Sequence, residues 1–162
     1  ITKEGSDAVY PFGCGIYQWA VTYSDILLDK FLSSHDGTDA DYEVLKDAKV
    51  RIPSSIGWGQ MITKSCEISA GLWNEEFLSW GAEDCEFYYR LNLFGFKVGR
   101  VIDDIYHFEH GRTFNSHYHN PKFQDNDRLW NWIRTQDKES LTQYYGKLDY
   151  IKRRGKELNA SL

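Results

Sequence analysis

The stretch from Trp80 to Gly95 constrains this chain more than any other. It opens with Trp80-Gly81-Ala82-Glu83-Asp84, and Phe87, Leu91 and Phe94 then recur at helical spacing before Gly95. That periodicity predicts a helix over about 82–94 with one apolar face. Gly95 can adopt the left-handed conformation that ends a helix without a side-chain penalty. Glu83 and Asp84 fall in the first turn, where carboxylates interact well with unpaired backbone N–H groups. That electrostatic role alone explains acids at this position. Neighbours on a helix project about 100° apart, so the two carboxylates cannot point the same way. One can hold a ligand hydroxyl while the other accepts a proton.

The rest of the chain interleaves short helices and strands. Ser24 is a suitable cap for a helix over about 25–32, with Ile26, Leu27, Leu28, Phe31 and Leu32 as its apolar residues. A short helix is expected over 42–48, an extended segment at 50–53 and a strand at 60–62. Thr63 caps a helix running to about Ala70, closed by Gly71. A strand is expected over 96–102. The tail from Pro121 reads as helical, with Trp130, Ile133, Leu141 and Tyr145 on its buried side. This mixture favours an α/β fold with few strands. The 162 residues suffice for one hydrophobic core, and the expectation is a single domain over 1–162 with a helical tail, 121–162, packed on it.

Other groups carry chemistry less specifically. Gly57-Trp58-Gly59 allows close approach of backbone to a ligand, and serves equally as a tight turn before a strand. No phosphate-binding loop of the Gly-Lys-Ser/Thr kind follows it. His107, Glu109 and His110 are donors that suit Mn²⁺ or Zn²⁺; in an extended stretch 107 and 109 share a face, in a helical turn 107 and 110 do. His117 and His119 read more simply as a solvated loop. So does Asp39-Ala40-Asp41, although two acids two apart can hold a divalent ion. The six Trp, eleven Tyr and nine Phe supply core mass, and also suit platforms under sugar rings.

The composition excludes several classes. A net charge of -5, with one short basic run at Lys152-Arg153-Arg154, argues against nucleic acid as a partner. Three cysteines, Cys14, Cys66 and Cys85, form neither a disulfide framework nor a zinc knuckle. No run of apolar residues is long enough to cross a bilayer as a helix. No nucleophile elbow and no Cys beside a His base is present, so serine and cysteine hydrolase readings have no support.

Taken in order, Gly57-Trp58-Gly59-Gln60-Met61, Gly71-Leu72-Trp73-Asn74-Glu75-Glu76-Phe77, Trp80-Gly81-Ala82-Glu83-Asp84-Cys85-Glu86-Phe87, Arg90-Leu91, Gly95 and Tyr106-His107-Phe108-Glu109-His110 form a pattern. It resembles the C-terminal, galactosyltransferase-like part of GT-A fold glycosyltransferases, closest to bacterial family-2-like sugar transferases and polysaccharide-synthesising enzymes. The resemblance covers about a third of the chain. It implies the C-terminal half of a GT-A fold with an incomplete sheet. It also implies transfer of a hexose or N-acetylhexosamine from a UDP-sugar to a saccharide acceptor, with inversion at the anomeric carbon. Asp84 would be the general base, and Glu83 would bind acceptor hydroxyls and share the base role, so both are expected to be catalytic. Trp80 and Gly81 would shape the donor–acceptor junction, Gly57 and Trp58 would lie near the donor, and His107 would bind Mn²⁺ or Mg²⁺. Two positions depart from the pattern: Ala82 replaces the usual glycine before the acidic pair, and Trp58 stands where a small residue is common.

The nucleotide-binding half, with its Asp-x-Asp motif, is not recognisable in the sequence. The expectation is therefore an acceptor-side half, inactive without that partner half, in a cytoplasmic setting or at the inner face of the membrane. Two other readings compete. One is a carbohydrate-binding or scaffold domain that keeps the fold without transfer. The other is a metal-assisted hydrolase built on His107, His110 and Asp84.

Overall fold

The computed structural model describes residues 5–10, 18–35, 41–53, 56–101 and 104–159, the side chains of Trp58 and of 155–159 excepted. In chain order the elements are β1 (Ala8–Tyr10), β2 (Gln18–Val21), α1 (Asp25–Ser33), β3 (Lys49–Ile52), β4 (Met61–Ile62), α2 (Lys64–Ser69), α3 (Glu83–Phe94), β5 (Val98–Arg100), β6 (Ile105–Phe108), α4 (Phe123–Ile133), α5 (Lys138–Lys147) and α6 (Asp149–Asn159). Among the described residues these make a mixed α/β structure with two small sheets, and the chain divides into two compact units. The larger unit draws on 1–9, 60–99 and 112–162, the smaller on 10–59 and 100–111.

The larger unit is built around α3. Its sheet has the order β4–β1–β5, with β1 antiparallel to β4. Thr63 caps α2 by accepting a hydrogen bond from the Cys66 N–H at 3.2 Å. Phe87 and Leu91 of α3 join Ala8, Cys66 and Ala70 in one apolar cluster. Phe77, Ile133, Leu141 and Tyr145 form a second, which fits the expected buried side of the tail, with Trp130 packed against it. Phe94 departs from its expected face. At the end of α3 it packs on this second cluster, edge-on to Tyr145 at 6.5 Å. The cause is α5, which closes over that end of the helix: Lys138 Nζ donates to the Phe94 carbonyl at 3.2 Å.

An ion pair with no solvent exposure joins these layers. Arg90 donates to both Glu86 oxygens, at 2.8 and 3.0 Å, and to the Ala70 carbonyl at 2.5 Å. The Tyr145 hydroxyl donates to Glu86 as well. Burial and the Glu86 charge keep that phenol protonated far above its ordinary range.

The smaller unit is a sheet of order β3–β2–β6. Strand β2 runs antiparallel to β3 and parallel to β6. Its aromatic side chains are interlocked. Tyr42 stacks on Tyr106 at 4.5 Å, and Phe31 of α1 meets Phe108 at 5.8 Å. The Trp19 indole N–H donates to Asp104 at 2.8 Å, and Arg51 grips the same carboxylate with its two terminal guanidinium nitrogens. Ser24 caps α1 as expected, through the Leu27 N–H.

Three expected elements are shorter in the structure. The helix at 42–48 is a single 3-10 turn, Tyr42–Leu45, and the strand at 96–102 covers Val98–Arg100. The strand at 60–62 is reduced to Met61–Ile62. The run at 11–17, which holds Cys14, the loop at 36–40, Ile102 and Asp103 lie outside the described residues.

Candidate functional site

The segment leading into α3 is an unusual piece of backbone. Ser79 and Ala82 have φ of 65° and 53°, and Gly81 has φ of 143°. Left-handed values at non-glycine residues cost energy and persist only where the surroundings impose them. Here α4 and the turn before it impose them. Asn126, 1% exposed, accepts from the Leu78 N–H at 3.1 Å and donates to the Leu78 and Trp80 carbonyls at 2.9 and 3.2 Å. Asn120 donates to the Trp80 carbonyl at 2.9 Å. The Ser79 hydroxyl donates to the Asn115 carbonyl at 2.8 Å. A Cβ on Gly81 would sit 3.3 Å from Asn126 and 3.4 Å from the Phe123 ring, so glycine permits this close approach.

The side chains that emerge differ in their engagement. Trp80 stacks on Phe123 at 5.5 Å with 17° between the planes, and remains 38% exposed. An exposed indole held rigid from behind is a platform for a flat apolar face. Glu83 accepts from the Gly81 N–H at 2.9 Å, which ties its carboxylate to the helix start. Ala82, the N-cap residue, contributes no side-chain bond. Asp84 is half-buried and, among the described residues, its carboxylate has no hydrogen-bond partner. Burial raises its carboxyl pKa above the ordinary value, and the Glu83 charge adds to the rise. An unpaired carboxylate that is partly shielded from water is a better proton acceptor than a solvated one.

Trp80, Gly81, Glu83 and Asp84 thus come together in the larger unit. Gly57 and His107 belong to the smaller unit. Gly57 is exposed in a 3-10 turn, Ile56–Trp58, and the Trp58 side chain is outside the described residues. His107 lies within β6, paired to Ala20 of β2, rather than beyond a strand end. The extended backbone puts residues 107 and 109 on one face, and His107 Nδ1 meets Glu109 Oε1 at 3.1 Å. With the proton on Nδ1, the ring donates to Glu109, which fixes its orientation. His110 contacts the His107 ring at 5.5 Å and points its own Nδ1 at the Gly111 carbonyl. Among the described residues no group of three or more His, Cys, Asp or Glu side chains is placed to hold a metal. The donor set at His107 is therefore incomplete within them.

The weaker candidates resolve as structural features where they are described. Asp41 caps the 3-10 turn at Tyr42–Leu45, accepting from the Glu43 N–H at 3.0 Å. Asp39 and Ala40 lie outside the described residues. His117, Tyr118 and His119 form a ring cluster in a largely exposed loop. Arg153 and Arg154 pair with Glu75 on the surface, and Lys152 pairs with Asp149. Asn120, Phe123 and Asn126 are not among the residues the sequence singles out. Phe123 and Asn126, three apart, share a face of α4, whereas Asn120 lies in the bend before it and carries no such signal.

Residues 48–111 match the family model described as the N-terminal domain of galactosyltransferase. The match supports a galactosyltransferase-like domain, and with it a glycosyltransferase kind of function. The resemblance drawn from the sequence was to a C-terminal part; the two agree on the galactosyltransferase-like character. No curated protein and no solved structure matches the chain. All seven residues expected at the site fall inside the matched segment, whereas Asn120, Phe123 and Asn126 fall beyond it. No described helix is long and apolar enough to cross a membrane.

Proposed function

We propose that the chain is the acceptor-side, catalytic part of an inverting glycosyltransferase of GT-A type. It moves a hexose or N-acetylhexosamine from a UDP-sugar to a saccharide hydroxyl. The observation that carries this reading is the half-buried Asp84 carboxylate, without a hydrogen-bond partner among the described residues, at the start of α3, four residues after the exposed Trp80 platform. The galactosyltransferase-like match over the same residues supports it.

In this reading the acceptor sugar lies against Trp80 and its hydroxyl oxygen attacks the anomeric carbon of the donor. The bond from that carbon to the UDP oxygen breaks, and the hydroxyl proton passes to Asp84. Glu83 and the Gly81 backbone hold the turn that orients the acceptor. Gly57 and Trp58 serve the donor. A Mn²⁺ or Mg²⁺ ion bound through His107 would offset charge on the departing diphosphate.

The test is Asp84→Asn in the full-length protein, assayed with UDP-sugar donors. Transfer is expected to fall by roughly 10²–10⁴ in kcat, the usual worth of a general base, while donor binding stays near normal. The base works only when ionised, and its pKa is raised. The acid limb of the rate therefore lies higher than a solvated aspartate would give, and activity is lost as pH falls through it. Near-normal turnover by Asp84→Asn removes the assignment. The exposed Trp80–Phe123 stack also favours a second reading, a carbohydrate-binding domain without transfer, which predicts saccharide binding indifferent to this substitution.

A further inference from the structure

We infer that Asn120, Phe123 and Asn126 are positioning residues: the bend before α4 and the first turn of that helix together set the shape of the Trp80–Asp84 turn. This rests on reading that turn as the reacting segment. It extends the site beyond the matched residues 48–111, into the helical tail.

Four observations carry the inference. Asn126 is buried, yet all three hydrogen bonds of its side chain go to backbone of Leu78 and Trp80, and none to α4 or to another side chain. An amide that spends both its donor and its acceptor on a loop fixes that loop's path. Asn120 adds a second donor to the same Trp80 carbonyl. Phe123 stands between them in sequence and backs the Trp80 ring. The backbone they hold contains three residues with positive φ, two of them not glycine, a conformation that a free loop would leave. Relaxation of the turn would release the Glu83 carboxylate from the Gly81 N–H and open Asp84 to water. Asn120 also accepts from the Lys122 N–H at 2.7 Å, so one residue both starts the tail and grips the turn.

The experiment uses the complete protein and needs no substrate. Amide hydrogen exchange at Gly81 and the side-chain titration of Asp84, read by carbon-13 NMR, are compared between wild type, Asn126→Ala, Asn126→Asp and Asn120→Ala. The Leu91 amide in the middle of α3 serves as the reference for overall stability. Asn126→Ala is expected to speed Gly81 exchange by about tenfold or more beyond any change at Leu91, the equivalent of one or two lost hydrogen bonds. The Asp84 titration should move down toward the ordinary carboxylate value. Asn126→Asp keeps only the bond from the Leu78 N–H and should fall between in Gly81 exchange, the readout used for it because its added charge would itself raise the Asp84 titration. If Asn126→Ala does not fold, Asn120→Ala, which loses a single bond to the turn, is expected to shift both readouts the same way by less. Equal changes at Gly81 and Leu91, with Asp84 unmoved, would overturn the inference and leave a purely structural role. Retained turnover in Asp84→Asn would remove the base assignment while the Gly81 result stood.

Discussion

Ala82 shows how a single residue type reports on backbone geometry. A glycine is usual before the acidic pair in the proteins this segment resembles, and here the position has φ of 53°. A left-handed residue costs little for glycine and about 1 kcal/mol or more for alanine. Ala82→Gly is therefore expected to stabilise the fold by roughly 1 kcal/mol, seen as a higher midpoint in chemical denaturation. No gain would mean that the strain is relieved elsewhere. The adjacent acids behave as their angular separation on the helix required. Glu83 turns back to the Gly81 N–H and Asp84 does not share that bond. The sequence made the two roles legible in kind. It did not reveal which carboxylate is tied, because that depends on φ values at 79, 81 and 82 that no composition rule fixes.

At the scale of elements, local signals were read well and buried pairings were not. Ser24, Thr63 and Gly95 act as caps in the structure because capping depends on neighbours in the chain. Glu86 and Arg90 are a pair one turn apart on α3, a spacing that by itself says nothing of burial. In the fold both are fully buried, with Tyr145 and the Ala70 carbonyl completing their hydrogen bonds. A buried pair of this kind adds little over an apolar replacement, but losing one partner strands the other charge. Glu86→Gln should therefore cost roughly 3 kcal/mol or more, measured by urea unfolding, while a Tyr145→Phe change costs less. A loss below 1 kcal/mol for Glu86→Gln would show that Arg90 finds another partner.

For the whole molecule, the α/β character was legible and the sheet topology was not. Strands of two to four residues carry too little periodicity to reveal their partners. The division of the candidate residues between two units was also invisible in sequence. It predicts separable losses in the full-length protein. His107→Ala should weaken Mn²⁺-supported donor binding, read by calorimetry with and without the metal, and leave the Asp84 titration unchanged. Unaltered metal dependence would exclude His107 as a ligand. The parallel pairing of β2 with β6 has a kinetic consequence. It joins distant segments, as the pairing of Trp19 with Tyr106 shows, and a long loop must close before any contact rewards it. The imidazole of His107 thus acquires its surroundings only when distant parts of the chain have met, so a nascent or partly refolded protein would lack that donor even after its helices had formed.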